Sequence, residues 1–162
     1  MEGIEVLKIK IIAVGKVKEK FFQAGIDEYL KRMQPFCKAE IIMVNETKFS
    51  GNPNDQQIKQ IVNSETLRIN EYIKPDDYVI ATKLQGKQLT SVEFAKKISD
   101  IEMTSSSIDF IIGGSYGLPN DFPCDFSLSF SKMTFPHQLF RLILCEQIYR
   151  SLMINGNRHY HK

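Results

Sequence analysis

The sequence predicts an α/β fold with a mainly parallel sheet and flanking helices, and three observations support this prediction. Short β-branched runs alternate along the chain with longer segments of helical period, which is the pattern of successive strand–helix–strand units. The 162 residues suit one domain whose core needs no cross-links. No internal repeat, low-complexity segment or linker divides the chain, so a single domain is expected over residues 1–162.

Five segments are predicted as strands from their β-branched and apolar runs. The first, Val6–Val14, starts with alternating residues and becomes wholly apolar, as a strand covered on both faces does. Tyr78–Leu84 is expected to stop at Gly86. The remaining predicted strands are Glu40–Val44, Ile108–Ile112 and Ser127–Ser131.

Four segments carry apolar residues at helical spacing. They are Lys16–Met33, Asp55–Lys74, a segment opened by the capping-box pattern of Thr90 and Glu93, and Phe135–Ile154. Pro136 is expected in the first turn of the last helix, where a missing N–H group is tolerated.

The last helix is apolar in nearly every direction around its axis. A helix of this kind must be covered on more than one side. A second subunit could supply that cover, which favours a homodimer, or the helix could be central within its own domain. The apolar positions are Leu139, Phe140, Leu142, Ile143, Leu144, Cys145, Ile148, Tyr149, Leu152 and Met153.

Composition restricts the class of protein. The net charge is +2 and the pI is near 8.4, so nucleic-acid binding would depend on local clusters of Lys and Arg. Cys37, Cys124 and Cys145 are far apart and are predicted to be buried and reduced, with no disulfide framework and no zinc or other metal site. No apolar run is long enough for a membrane span and no secretory signal is evident, so a cytoplasmic protein is expected.

A glycine-rich turn, residues 113–117, follows the fourth predicted strand. Ligands bind at the carboxyl ends of strands in parallel sheets, and glycine lets a ligand approach the backbone. The pattern is not G-x-G-x-x-G, which disfavours a nicotinamide cofactor. The residues alone leave two readings open, a tight structural turn or a ligand-binding loop.

A second turn, residues 130–135, joins the fifth strand to the last helix. Its hydroxyl groups, backbone N–H groups and apolar side chains suit a flat heteroaromatic ligand better than a polyphosphate, since the phosphate-binding G-K-[ST] pattern is absent. His137 and Arg141 follow, four residues apart on one helix face. His137 could act as a base or polar anchor, or could make only a local hydrogen bond.

The C-terminal tail combines cations, amides and an aromatic side chain, which suits contacts to RNA phosphates and stacking on bases. A solvated, frayed terminus is the alternative. The expected RNA-binding residues are Arg150, Arg158, His159, Tyr160 and Lys162.

Several segments together resemble the ribosomal RNA large subunit methyltransferase H family, a group of SPOUT-class enzymes. The resemblance rests on I-G-G-S-Y-G-L and L-S-F-S-K-M-T-F-P-H-Q-L-F-R, with E-Q-I-Y-R, the ending Y-H-K, the opening K-I-K-I-I-A-V-G-K and the central Q-G-K. It extends over nearly the whole chain from Leu7, so residues 1–6 are expected to be an N-terminal extension.

This resemblance implies a SPOUT-type C-terminal trefoil knot, a homodimer and S-adenosylmethionine as cofactor. It also implies methylation of N3 of a pseudouridine in helix 69 of 23S rRNA within the assembled ribosome. The family's cofactor-binding positions fall on Thr82, Gly113, Phe130, Ser131, Lys132, Met133, Thr134 and Phe135.

Methyl transfer from a sulfonium requires in-line positioning and loss of the weakly acidic N3 proton, so a base is needed. The expected catalytic residues are His137 or His161 as base, with Arg141 or Arg150 stabilising negative charge on the nucleobase. The alternatives are a non-catalytic ribosome-associated factor with the same fold, and a small-molecule or nucleotide-binding α/β protein.

Overall fold

In the computed structural model, which describes residues 5–162, the chain forms five strands and four helices. The strands are β1 (Lys8–Val14), β2 (Lys38–Val44), β3 (Tyr78–Gln88), β4 (Ser107–Ile112) and β5 (Phe126–Ser129). They pair in parallel in the order β2-β1-β4-β3-β5. The helices are α1 (Lys20–Met33), α2 (Asp55–Asn70), α3 (Ser91–Glu102) and α4 (His137–Asn155). The predicted α/β fold class is confirmed, and the trefoil knot stays a prediction.

The two faces of the sheet are covered unequally. Alternate residues of β1, beginning with Ile9 and Ile11, pack with apolar side chains of α1, α3 and α4 in one core. The intervening residues Ile12 and Val14 pack with Ile69 of α2 in a second, smaller core. Both faces of the central strands are therefore buried, as their apolar sequence predicts.

Helix α3 begins as its sequence predicts. Thr90 Oγ1 accepts a hydrogen bond from the backbone N–H of Glu93 at 3.1 Å, and Glu93 Oε1 accepts one from the backbone N–H of Thr90 at 2.9 Å. A second capping box, formed by Asn54 and Gln57, starts α2 and was not predicted. Reciprocal hydrogen bonds satisfy backbone donors that have no partner inside a helix.

The prediction that the third strand stops at Gly86 is wrong. β3 continues through Gly86 to Gln88, and its pairing with β5 shifts register between Thr82 and Lys87. A Cβ atom at Gly86 would lie 2.6 Å from the carbonyl carbon of Leu128, so glycine permits close approach of the two backbones. The glycine therefore marks an irregularity within a strand and not its end.

Two helix starts also differ from the prediction. Helix α1 begins at Lys20 and not at Lys16, and the backbone N–H groups of Lys18 and Glu19 before it donate hydrogen bonds to Gln138 Oε1. Pro136 is the N-cap of α4 and precedes its first turn, with an extended backbone at ψ 143°.

Helix α4 packs against both α1 and α3. Leu144, Cys145 and Ile148 are buried there, whereas Leu139 and Ile143 on another side remain partly exposed. One side of the helix is therefore buried within its own domain, and another side presents partly exposed apolar side chains.

The cysteines are free within residues 5–162, but only Cys37 and Cys145 are buried. Burial raises the pKa of Cys37 to about 11 and that of Cys145 to about 12, so both thiols are protonated at neutral pH. Cys124 is partly exposed, 3.4 Å from Ser127 Oγ, which corrects the prediction of three buried thiols. Over the described range, no helix is both long and apolar enough to cross a membrane.

Candidate cofactor and RNA site

A cavity of about 520 Å³ is surrounded by the loops that follow β4 and β5 and by residues 82–85 of β3, where the pairing of β3 with β5 shifts register. The cavity lies at the carboxyl ends of parallel strands, where α/β proteins bind ligands. Its wall contains all but one of the predicted cofactor residues, namely Thr82, Gly113, Phe130, Ser131, Met133, Thr134 and Phe135. The exception is Lys132, which is exposed and does not line the cavity.

The glycine turn is both a tight turn and a wall of this cavity. The backbone N–H of Gly117 donates to the carbonyl of Gly114 at 3.0 Å, and Gly117 has a φ of +76°. A Cβ atom on Gly113 would lie 2.6 Å from the carbonyl carbon of Gly117. Glycine is therefore required at both positions; the turn is tight and lines the cavity, and ligand binding there stays a prediction.

Glu65 of α2 lies directly beneath the glycine turn. Its side chain is buried, and Oε2 accepts a hydrogen bond from the backbone N–H of Thr47 at 2.9 Å. Oε1 would be 2.9 Å from a Cβ atom on Gly114. Burial raises the pKa of Glu65, whereas the hydrogen bond from the Thr47 backbone and the positive charge of Arg68 act to lower it. The sequence analysis missed this residue, although a carboxyl group four residues from both Ile61 and Ile69 breaks an apolar helix face and could have indicated it.

Local contacts hold the side chains of Thr82 on β3 and of the 130–135 loop. Thr82 Oγ1 donates to the carbonyl of Ile111 at 2.7 Å, so this hydroxyl is used within the sheet. Ser131 Oγ accepts from the backbone N–H of Met133 at 3.0 Å. The ring of Phe130 packs on Phe140 with a centroid distance of 5.0 Å. These contacts pre-form the wall of the cavity.

His137 is partly buried at the start of α4 and lines the cavity. Burial lowers its pKa, and the positive charge of Arg141 lowers it further, while Glu46 and the backbone of Gly113 act in the opposite direction. The imidazole is therefore neutral at pH 7 and can accept a proton.

Arg141 has a different environment although it lies one turn from His137. Its side chain is 1% exposed, and Nη2 donates to the carbonyl of Val14 at 2.7 Å. It does not line the cavity, and within the described residues Nε and Nη1 have no hydrogen-bond partner. The guanidinium group therefore joins α4 to the carboxyl end of β1.

Part of the C-terminal tail is hydrogen-bonded to the second half of α4. Tyr160 donates its hydroxyl hydrogen to Glu146 Oε1 at 3.0 Å, and Arg150 Nε donates to the same oxygen at 2.9 Å. Arg150 Nη1 lies 3.0 Å from His161 Nδ1. Glu146 was not predicted, although its position four residues before Arg150 on the helix is a recognisable ion-pair spacing.

The other tail residues do not enter this cluster. The guanidinium of Arg158 lies 4.8 Å from the ring centroid of Phe36, while His159 and Lys162 are exposed. Along the axis of α4, a rise of about 1.5 Å per residue separates His137 from Arg150 by about 20 Å. Within one chain, the predicted catalytic residues thus form two separate groups.

Across residues 5–162, no group of three or more His, Cys, Asp or Glu side chains is arranged to hold a metal ion. The cavity offers hydroxyl, backbone and aromatic groups instead. This donor set suits an uncharged or cationic organic ligand with a flat ring.

Comparison with known proteins agrees with this arrangement. A family model described as "Predicted SPOUT methyltransferase" matches residues 7–161. The chain is 46% identical to ribosomal RNA large subunit methyltransferase H of Clostridioides difficile and 48% identical to the protein of that name from Bifidobacterium adolescentis. Each match covers 96% of this chain and 100% of the relative. The chain belongs to the ribosomal RNA large subunit methyltransferase H family of SPOUT methyltransferases.

Proposed function

We propose that the protein uses S-adenosylmethionine to methylate N3 of a pseudouridine in helix 69 of 23S rRNA, on the assembled ribosome in the cytoplasm. The observation that carries this proposal is the cavity formed by β3 and the loops after β4 and β5, which gathers seven of the eight predicted cofactor positions. Family membership supports methyl transfer to large-subunit rRNA as the reaction class.

The cavity fits the proposed cofactor in size and chemistry. Its volume of about 520 Å³ is within the range of small-molecule sites. Thr82, Gly113 and the 130–135 loop would hold the cofactor mainly through backbone groups, since the side chains of Thr82 and Ser131 are already hydrogen-bonded. When bound, S-adenosylmethionine supplies an electrophilic methyl group.

The residues of the chain would position the nucleobase and remove its N3 proton. His137 lines the cavity and is neutral, so it is the favoured base. His161, held by Arg150, is the second candidate. Arg150 would stabilise the negative charge that develops on the base, whereas Arg141 is buried against β1 and would position α4.

A homodimer would bring the two groups of catalytic residues together. Leu139 and Ile143 present partly exposed apolar surface on α4, which a second copy of the helix could cover. The Arg150–His161 group of one subunit could then approach the His137 cavity of the other. The proposed active site is thus completed by the partner's tail.

Mass spectrometry of helix 69 tests the reaction. Ribosomes from cells that lack this modification would be incubated with the protein, with and without S-adenosylmethionine. One added methyl group on the pseudouridine, dependent on the cofactor, is expected. Calorimetry with S-adenosylmethionine gives an independent result, because absence of binding at millimolar cofactor would favour a non-catalytic factor or an unrelated enzyme.

The assignment of the base predicts the effect of replacing each histidine. His137→Ala should lower kcat roughly 100-fold or more while cofactor affinity stays near normal, since general-base catalysis contributes about 10²–10⁴-fold. His161→Ala should have a smaller effect if it only supports Arg150. Near-normal turnover of both variants would rule out both residues as the base. His159→Ala, in the exposed part of the same tail, is the comparison: as a predicted RNA-binding residue it should raise KM for ribosomes and leave kcat near normal.

A further inference from the structure

Three lysines follow β1 at the carboxyl-terminal edge of the sheet, where the cavity lies. Lys16, Lys18 and Lys20 are exposed, and none makes a salt bridge within residues 5–162. They begin directly after Gly15, whose φ of +92° turns the chain out of the strand. Sequence analysis assigned them no role.

The segment that bears these lysines is fixed to the first turn of α4. Gln138 Oε1 accepts hydrogen bonds from the backbone N–H groups of Lys18 and Glu19 at 2.7 and 2.9 Å. The backbone N–H of Gly15 donates to the carbonyl of Val44 at 2.8 Å. Gln138 is adjacent in sequence to His137, which lines the cavity. The lysines are therefore held beside the proposed reaction site.

Other loops on the same edge of the sheet add positive charge. Lys48 follows β2 and Lys132 follows β5, and both are exposed without a salt bridge in the described part of the chain. The net charge of the whole protein is only +2. Glu19 and Glu46 are exposed on the same loops, so the five lysines leave a local excess of positive charge on a nearly neutral molecule, which is the arrangement that attracts a polyanion.

We propose that Lys16 and Lys18 bind backbone phosphates of the RNA strand that presents its base to the cavity. This inference rests on the proposed function, because rRNA is the polyanion that the site would receive. Lysine contacts phosphate as a point charge without reading sequence, so these residues would add affinity and orientation and leave base choice to the cavity. The tail would then be one of two RNA-contacting surfaces.

The test is the salt dependence of ribosome binding by a Lys16→Gln/Lys18→Gln double variant, measured by co-sedimentation. The variant should bind roughly 10-fold more weakly at moderate salt, and the slope of log K against log salt should fall by about 2, since each phosphate contact contributes about 0.9. In the methylation assay, KM for ribosomes should rise with kcat and S-adenosylmethionine affinity unchanged. Both side chains are exposed, so the melting temperature should be unaffected.

A Lys8→Gln/Lys38→Gln variant is the matched control. These two exposed lysines are register partners at the opposite, amino-terminal edge of the sheet, and their loss removes the same net charge. Wild-type binding and slope are expected for this control. An equal loss in both variants, or no loss in the first, would overturn the proposal.

The proposed function and this inference fail in different ways. If the wild-type protein methylates helix 69 and the Lys16/Lys18 variant binds ribosomes normally, only the inference is wrong. If the wild-type protein binds ribosomes with a steep salt slope that the variant lacks, but methylates nothing, Lys16 and Lys18 do contact RNA phosphates and the proposed reaction is wrong.

Discussion

Among single residues, Asp109 is an ionisable side chain placed where burying a charge would be costly. It lies on β4 with 0% exposure, in register with Lys10 of β1. Lys10 Nζ is 2.8 Å from Asp77 and 3.6 Å from Asp109. Burial raises the pKa of Asp109 to about 8, helped by the neighbouring Asp77 and opposed by Lys10. One lysine therefore neutralises one of two carboxylates, and Asp109 is the one that keeps its proton.

This arrangement predicts how stability depends on pH. The pKa of Asp109 is higher in the folded state than its ordinary value of 3.8, so the folded state binds more protons between these two values. The free energy of unfolding should therefore fall as pH rises from about 5 to about 8. Asp109→Asn removes the titrating group while keeping its shape, and should flatten this dependence and be more stable at about pH 8.5, by on the order of 5 kcal/mol.

Urea unfolding at several pH values measures this effect. Asp100→Asn is a suitable control, because Asp100 is exposed and, within residues 5–162, its salt bridge is with Lys96 on the surface of α3. If the Asp109 variant kept the wild-type slope from pH 5 to 8, Asp109 would be ionised in the folded protein throughout that range.

At the scale of elements, the contact between β3 and β5 shapes the cavity. β5 leads directly into the 130–135 loop, and Gly86 allows β3 to approach the backbone of Leu128 and Ser129. The register shift after Thr82 lets the residues between the two pairings, including Lys83 and Gln85, line the cavity. Gly86 thus affects the pairing of β3 with β5 and the two parts of the cavity wall next to that pairing, residues 82–85 and the 130–135 loop.

Gly86→Ala should therefore lower both stability and cofactor affinity. Its Cβ atom would lie 2.6 Å from the carbonyl carbon of Leu128, and backbone atoms cannot move aside as a flexible side chain can. We expect a loss of about 2–4 kcal/mol in the free energy of unfolding. Chemical denaturation and calorimetry with S-adenosylmethionine measure the two effects.

Gly51→Ala is the comparison for this variant. Gly51 has a φ of +86° but no atom within 4 Å of an added Cβ, so only backbone strain of about 1 kcal/mol is expected, with normal cofactor affinity. Equal behaviour of the two alanine variants would show that the close backbone approach at Gly86 is unimportant.

At the scale of the whole molecule, the proposed dimer depends on α4. Ile143→Asp places a charge on its partly exposed apolar side and should convert the protein to a monomer in sedimentation experiments. Methylation should be lost, because the two catalytic groups would no longer meet, while the cavity itself should still bind S-adenosylmethionine.

Leu67→Asp is the control, since Leu67 is 70% exposed on α2, away from α4. It should remain dimeric and active. A wild-type protein that sediments as a monomer at the concentration of the methylation assay and is fully active would contradict the shared active site.

The family resemblance alone points to Thr82 on β3, whereas residue patterns predict the α/β class, the number and order of strands and helices, and the two loops after β4 and β5 that line the cavity. These features depend on periodicity, turn chemistry and capping, which are local, and on motifs such as the 130–135 loop that are continuous in the chain. Tertiary contacts alone reveal the surroundings of Glu65, Arg141 and Asp109, the continuation of β3 past Gly86, and the separation of His137 from Arg150. Each of these depends on which groups distant in sequence become neighbours, and burial then sets their hydrogen bonds and pKa values.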